Sequence, residues 1–394
     1  MSTVNSKVEN GIFTLFLSGR VDSSNAAATE SAINDELSKA GSIENVIVDA
    51  ENLEYISSAG LRIILRLRKE NPDLKLINVS SDVYEIFDMT GFTEMITIEK
   101  AYRRLSIEGC EVIGEGSNGK VYRLDPDTII KVYKNPDSLP DIHRERELAR
   151  KAFVMGIPTA IPYDVVKVGE SFGSVFELLS AKSLSKILNA QPERFDECVD
   201  VFADLMKKIH ETELKPGELP SMKEVAVNWA KYLEKYLPED VYAKLTKLIA
   251  DVPEDAHMLH GDYHIKNVMI QNGETLLIDM DTLCQGHPVF ELASMFNAFS
   301  GFSEIDHEMT QKFLGIPLDM AQMFMIETLK KYLGTDDMEK VNSVLNKAKV
   351  VGYTRLLRRS LKRHGLDSDE GKAEYNTYRP HLIEAIEAVD TLLF

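Results

Sequence analysis

In the stretch LHGDYHIKNVMI (Leu259–Ile270), Asp262 is followed after four intervening residues by Asn267. Downstream, LLIDMD carries a second aspartate, Asp279, and the dipeptide Asn272-Gly273 stands between. Asn-Gly is a strong signal for a two-residue hairpin turn. A hairpin closed there sets Asn267 and Asp279 side by side at its open end. Their oxygens are hard ligands of the kind Mg2+ takes, with phosphate oxygens and water completing the octahedron. Asp262, on the loop before the first strand, faces the same point and can orient an acceptor hydroxyl and take its proton. A base beside two metal ligands suits phosphoryl transfer, in which positioning and charge neutralisation carry most of the catalysis.

The neighbours divide by role. His260 is expected to hydrogen-bond the loop backbone, since Asp262 already fills the base position. His264 and Lys266 stand close enough to meet phosphate, without an assigned role. Asp281 suits either the metal region or a capping, solvated position.

Such a site needs a grip on the nucleotide, and CEVIGEGSNGKVYRLDPDTIIKVYK supplies one. Gly114, Gly116 and Gly119 have G-x-G-x-x-G spacing, which lets backbone N–H groups approach phosphate oxygens closely. A dinucleotide-binding fold uses the same spacing but runs from the loop into a helix. Here KVYRL is another strand, so the glycines cap a β-hairpin, the nucleotide-covering loop of kinases. Val121 on that strand is counted with the ATP contacts. Lys131, buried in TIIKVY, would reach the α- and β-phosphates while paired to a helical glutamate. HRERELARKAF offers Glu145 and Glu147; Glu147, just before the apolar turn, is the one expected. In GSVFELLSAKSLSKIL, the backbone from Glu177 to Leu179 would face the adenine edge.

Upstream, GIFTLFL, NVIV and LKLINV read as buried strands alternating with helical patterns, which implies an α/β sandwich. At YISSAGLRIIL a strand passes through Ser57 and Ser58 into a helix. A serine there can cap the helix start, and a phosphate would be favoured by the same free donors.

Composition bounds the rest. A chain of 394 residues suggests two or three domains. Its net charge of −18 works against binding nucleic acid or anionic membrane. No apolar run approaches the roughly 18 residues of a membrane span. The N-terminus lacks a signal-peptide layout, so a cytoplasmic location is expected. Cys110, Cys198 and Cys284 are scattered, against a disulfide framework or a zinc site. RLLRRSLKRH (Arg355–His364) reads as an amphipathic helix with a solvated basic face. Trp229, in VAVNWAKYLEKYL, reads as packing.

LSGRVDSSNA, YISSAGLR and VYEIFDMTGFTEMITI together resemble a STAS domain, the fold of anti-sigma factor antagonists, over residues 1–100. The resemblance implies an α/β STAS sandwich, an anti-sigma factor-like partner and a phosphorylatable serine at Ser58. Phosphorylated members usually have aspartate just before that serine, where this chain has Ser57. After a linker at 101–108, HGDYHIKN, LLIDMD and GHPVFELA resemble the aminoglycoside phosphotransferase and choline kinase group over 109–394. That resemblance implies an α+β two-lobed protein kinase-like fold, with a small lobe over about 109–180 and a large helical lobe over about 181–394. ATP and Mg2+ follow, with a small-molecule or protein hydroxyl as acceptor. The acidic segments GFSEIDHEMT and GTDDMEK suit a cationic acceptor. Eukaryotic-type kinases carry H-R-D, D-F-G and a long activation loop. This chain has HGD, DMD and a short connection, so its site should be constitutively formed. The alternative is a nucleotide-sensing pseudokinase scaffold acting through the STAS domain. Loss of Lys131, Asp262, Asn267 or Asp279 would favour it, and all four are present.

Overall fold

Asn10 and Gly11 both have positive φ, 50° and 77°, the conformation of a tight hairpin turn. They join β1 (Thr3–Glu9) to β2 (Ile12–Val21) in the computed structural model of the chain, which describes residues 3–41, 43–116, 118–179 and 181–394. Two units emerge, one of Met1–Glu108 with Val165–Phe172, the other of Gly109–Asp164 with Gly173–Phe394.

In the first unit, α1 (Ala26–Lys39), β3 (Asn45–Asp49), β4 (Leu53–Ile56), α2 (Ser58–Glu70), β5 (Lys75–Val79), α3 (Ser81–Met89) and β6 (Thr97–Lys100) follow. The sheet runs β1-β2-β3-β5-β6, with β4 also on β2. Among the described residues of this sheet, β1–β2 is antiparallel and the other pairs are parallel. Alternation along β2 turns Phe13, Leu15 and Leu17 inward, where they meet Val48, Leu76 and Phe87. A register shift at Gly19/Arg20 lets β2 pair with β3 along its first half and with β4 along its second. Residues 101–108, expected as a linker, are tied into this unit. Lys167 N–H donates to Arg103 C=O and Leu105 N–H to Lys167 C=O, each at 2.9 Å.

The two serines at the start of α2 have separate positions. Ser57 is the cap, its hydroxyl accepting from Ala59 N–H at 3.3 Å. Ser58 is exposed in the first turn and makes no side-chain hydrogen bond among the described residues. Gly60 lets the helix approach the sheet, since a Cβ there would lie 2.6 Å from Ile56 and 2.8 Å from Val21.

The second unit opens with β7 (Glu111–Glu115), β8 (Gly119–Arg123) and β9 (Thr128–Tyr133), then α4 (Leu139–Val154); β10 (Asp164–Val168) falls in the first unit from Val165, and β11 (Ser171–Glu177) falls in the second from Gly173. Strands β11-β9-β8-β7 are neighbours in that order, all antiparallel. Next come β12 (Lys182–Ser183), α5 (Leu184–Ala190), α6 (Phe195–His210), α7 (Met222–Tyr232) and α8 (Glu239–Ala250). The short strands β13 (Met258–Leu259), β14 (Val268–Gln271), β15 (Glu274–Leu277) and β16 (Cys284–Gln285) carry the site loops between them. Helices α9 (Val289–Phe299), α10 (Met309–Leu314), α11 (Leu318–Leu333), α12 (Met338–Arg363) and α13 (Asp369–Glu387) complete the chain. Every residue of α9 is buried, so this helix is the centre of the large core. Among the described residues, no helix is long and apolar enough to cross a membrane.

Pairing of the short strands explains where the site forms. β13 pairs antiparallel with β16, and β14 with β15 through the turn at Asn272-Gly273, both of positive φ. The loops 260–267 and 278–283 are therefore held together at both ends.

Candidate active site

Lys131 projects from β9 into a cluster of carboxylates. Its Nζ donates to Glu145 Oε1 at 2.8 Å and Oε2 at 3.1 Å, and to Asp279 Oδ1 at 3.1 Å. Burial alone would lower its pKa; the charges of Asp279 and Glu145 overcome that and hold the ammonium above its ordinary value. Tyr133 OH donates to Glu145 Oε2 at 2.6 Å, fixing the carboxylate from its other side. Glu147, the glutamate expected from the sequence, is not the partner. The inward face of α4 carries Ile142, Glu145, Leu148 and Ala152 at helical spacing. Glu147, two residues on from Glu145, is turned to solvent and pairs with Lys151 at 3.1 Å.

The loop bearing Asp262 is braced from several elements. Buried Glu291 of α9 accepts from His260 N–H at 2.6 Å and Gly261 N–H at 3.0 Å. Thr282 Oγ1 donates to His260 C=O at 2.8 Å, and Ser294 Oγ to Gly261 C=O at 3.1 Å. Gly261 has φ +82°, and a Cβ would meet Thr282 O at 2.4 Å, so only glycine fits. Tyr263 is fully buried, its hydroxyl donating to Phe202 C=O at 2.7 Å and its ring 4.3 Å from that of Phe202. His260 is also fully buried. Its Nδ1 accepts Asp262 N–H at 3.2 Å, so the proton sits on Nε2, which donates to Ile278 C=O at 3.1 Å. That is the backbone-bracing role expected of it.

Asp262 itself remains partly accessible. Burial pushes its carboxyl upward, but the hydrogen bond and charge of His264, then the charge of Arg355, hold it well below the usual carboxylate range. His264 Nε2 lies 3.4 Å from Asp262 Oδ2.

Asn267 donates from Nδ2 to Asp262 C=O at 3.0 Å, which fixes the amide plane. Its own C=O accepts Ile278 N–H at 2.9 Å, so Asp279 is the next residue past the hairpin's open end. Asp279 has φ +67°, an uncommon conformation for a residue with a Cβ. The neighbouring Asp281 carboxyl is pushed up to about 7, by burial first and then by the charge of Asp279. Asp279 and Asp281 crowd each other beside a lysine that already serves Glu145, a donor set that fits a divalent cation.

The glycine loop lies at the same place. Val121 stands directly opposite Lys131 in the β8–β9 register, on the same face of the sheet. Gly119 is required by the fold, because a Cβ would meet Val132 O at 2.3 Å. At Gly116 a Cβ would meet nothing within 4 Å, and at Gly114 only ordinary contact with Val121. Asn118 Nδ2 reaches Asp281 Oδ2 at 3.4 Å. Glu177 ends β11 opposite Thr128, and Leu178 N–H donates to Asp127 C=O at 2.7 Å, leading to half-buried Leu179.

Sequence reasoning missed Glu291, Tyr133 and Arg355. Arg355 is not on a solvated basic face: Nη1 donates to Ser294 Oγ at 3.0 Å and Gly261 C=O at 3.4 Å. Its guanidinium also lies 5.6 Å from the ring centroid of Trp229. The one available signal for Glu291 was a carboxylate inside the apolar run PVFELASMF, since a fully buried charge needs partners.

The profile of the phosphotransferase enzyme family matches residues 109–321, over half of the chain, and that of the STAS domain matches residues 3–105. The putative anti-sigma factor antagonist BtrV of Bordetella bronchiseptica is 32% identical over 93 residues, 23% of this chain and 78% of that protein. Among solved structures, a thermostable mutant of aminoglycoside phosphotransferase APH(4)-Ia, in ternary complex with ADP and hygromycin B, aligns with a TM-score of 0.50. It is 14% identical and covers 70% of this chain and 93% of its own. A mutant aminoglycoside 2'-phosphotransferase-IIIa in complex with GDP also gives 0.50 at 14% identity, covering 77% and 98%. At such identities the structural likeness is one of fold, while the profile match places the chemistry. The chain belongs to the phosphotransferase enzyme family and carries an N-terminal STAS domain of the kind found in anti-sigma factor antagonists.

Proposed function

We propose that the protein transfers the γ-phosphoryl group of ATP, in the presence of Mg2+, to a hydroxyl of a small molecule or a protein serine. The STAS domain serves as its regulatory or interaction module, with an anti-sigma factor-like protein as the partner class. The observation that carries the reading is Lys131 Nζ held between Glu145 and Asp279 at 2.8 and 3.1 Å. An ammonium so placed is aimed at phosphate oxygens and kept charged.

Each residue then has a task. Gly114, Gly116 and Gly119 present backbone to the nucleotide phosphates, with Val121 on the same face as Lys131 and the backbone of Glu177–Leu179 along the base. Asn267 and Asp279 would hold Mg2+, with Asp281 beside them; the ion supplies charge neutralisation to the phosphates. Asp262 receives the acceptor hydroxyl. The acceptor oxygen bonds to the γ-phosphorus as the bond to the β,γ-bridging oxygen breaks, ADP leaves, and the hydroxyl proton passes to the Asp262 carboxylate. A carboxylate held this far below its usual range is ionised throughout the neutral region. Its main contribution is orienting the hydroxyl, with the proton arriving late in a loose transition state.

Intact mass and peptide mapping after incubation with Mg-ATP, with Asp262→Ala in parallel, test the reading on the chain itself. A phosphate on Ser58 that requires Asp262 would make the STAS domain the output of the same enzyme. An unmodified chain that still turns over ATP with added hydroxyl compounds would place the acceptor outside it. ATP turnover identical in wild type and Asp262→Ala would contradict the reading.

A further inference from the structure

The charge of Arg355 reaches Asp262, and Arg355 and Arg359 act on each other along α12. Arg355 lies against the loop backbone as described. Arg359, one helical turn further along α12, sits 5.0 Å from the ring centroid of Phe302. Lys266 is exposed, 5.2 Å from the ring centroid of Phe313. The two phenylalanines meet edge to face at 6.1 Å, and Phe313 meets His264 at 4.9 Å. Asp262, His264, Phe313, Phe302, Arg359 and Arg355 thus bound one patch, closed by the contact of Arg355 with Gly261.

None of Arg355, Arg359 and Lys266 forms an ion pair among the described residues. Glu374, whose charge reaches Arg359, is itself bonded to His364 Nδ1 at 3.0 Å. In a chain of net charge −18, cations that form no ion pair are free to meet an incoming anion. The carboxylates of GFSEIDHEMT, one of the two acidic segments that suggested a cationic acceptor, are meanwhile engaged elsewhere. Glu304 is bonded to Tyr353 OH at 2.6 Å and His381 at 2.8 Å, and Asp306 and Glu308 hold Lys312 at 2.8 and 3.2 Å. Asp337 caps α12 through Glu339 N–H.

We infer that the acceptor is an anion, with a carboxylate or phosphate group lying against Arg355 and Arg359 while its hydroxyl meets Asp262. The inference rests on the phosphotransferase reading and specifies its substrate class. Arg355 has donors beyond the one it gives to the loop, and guanidinium forks match carboxylate and phosphate oxygens. The transfer step is unchanged: the hydroxyl oxygen gains the phosphoryl group, its proton goes to Asp262, and ADP departs.

The test is a panel of acceptors with Mg-ATP, read as ADP release and product mass. Glycerate and glycerol 3-phosphate represent free anions, and an acidic serine peptide the same chemistry on protein. Glycerol is the neutral probe, and kanamycin and choline the cationic ones. Arg359→Glu, Arg359→Gln and Arg359→Lys are assayed beside the wild type, each checked by thermal melting. Phosphorylation of anionic probes is expected, with the acceptor KM raised about tenfold or more by Arg359→Glu or Arg359→Gln and recovered by Arg359→Lys. The free anions and the peptide distinguish the source. Preferred transfer to kanamycin, choline or glycerol would overturn the inference, as would a folded Arg359→Glu or Arg359→Gln variant with unchanged KM for the anion. Absence of any Asp262-dependent ADP release would instead bring down the phosphotransferase reading, and this inference with it.

Discussion

The two loops that would handle phosphate are built in opposite ways. The loop from His260 to Asn267 is braced by Glu291, Thr282, Ser294 and Arg355, and Tyr263 plugs it into the core. The glycine loop between β7 and β8 is held mainly by neighbours in its own sheet. Gly116 N–H donates to Gly119 C=O, and Lys134 Nζ to Gly116 C=O, both at 2.9 Å. The group proposed to meet the acceptor within a fraction of an ångström is fixed by contacts from several elements of the unit. The part that would cover the nucleotide leaves open space at Gly116. Positional tolerance at the reacting atoms is small, and an ångström of error is costly there.

The largest effect on this contrast should come from Glu291→Gln, apart from loss of Asp262 itself. One amide oxygen cannot serve both loop N–H groups as a carboxylate does. The expected result is a fall of about 10²-fold in kcat from misplacement, with a loss of about 2 kcal/mol in stability from the weakened charged hydrogen bonds. Steady-state kinetics and denaturant unfolding measure both. A variant with wild-type kcat would break the claim that the catalytic loop depends on its distant brace.

A smaller effect separates the two glutamates of α4. Glu145→Gln should reduce kcat/KM by about 10-fold or more through a misplaced Lys131. Glu147→Gln, at an exposed ion pair worth about 0.5 kcal/mol, should leave turnover and melting close to wild type. The reverse order would overturn the assignment of Glu145. Smallest of all, Gly116→Ala should raise the nucleotide KM while melting stays unchanged, because the added methyl meets no protein atom. Gly119→Ala should destabilise instead, through its clash with Val132 O.

The same contrast explains how much could be read in the sequence. Features carried by short stretches were legible: the glycine spacing, the hairpin at Asn272-Gly273, the Asp262–Asn267 interval and the alternation of GIFTLFL. The braces were not, because Glu291 lies some thirty residues from the loop it holds and Arg355 still further. A basic run reads as solvated until its helix is placed, and Arg355 then proves to face the loop. Glu147 was chosen for its proximity to an apolar turn, whereas helical phase, with Ile142, Leu148 and Ala152 inward, selects Glu145. Strand β1 escaped notice because TVNSKVE alternates weakly and is largely exposed at a sheet edge. Ser57 and Ser58 could not be told apart by type, and only the helix start at Ser58 makes Ser57 the cap.

Phosphorus NMR of Mg-ATP with the wild type and Asp262→Ala, in the presence of a hydroxyl acceptor, tests the central claim most directly. The account predicts loss of the γ-phosphate signal with the wild type and growth of ADP and phosphate-monoester signals together, with neither in Asp262→Ala. Inorganic phosphate in place of a monoester, or equal ATP loss in both proteins, would contradict it.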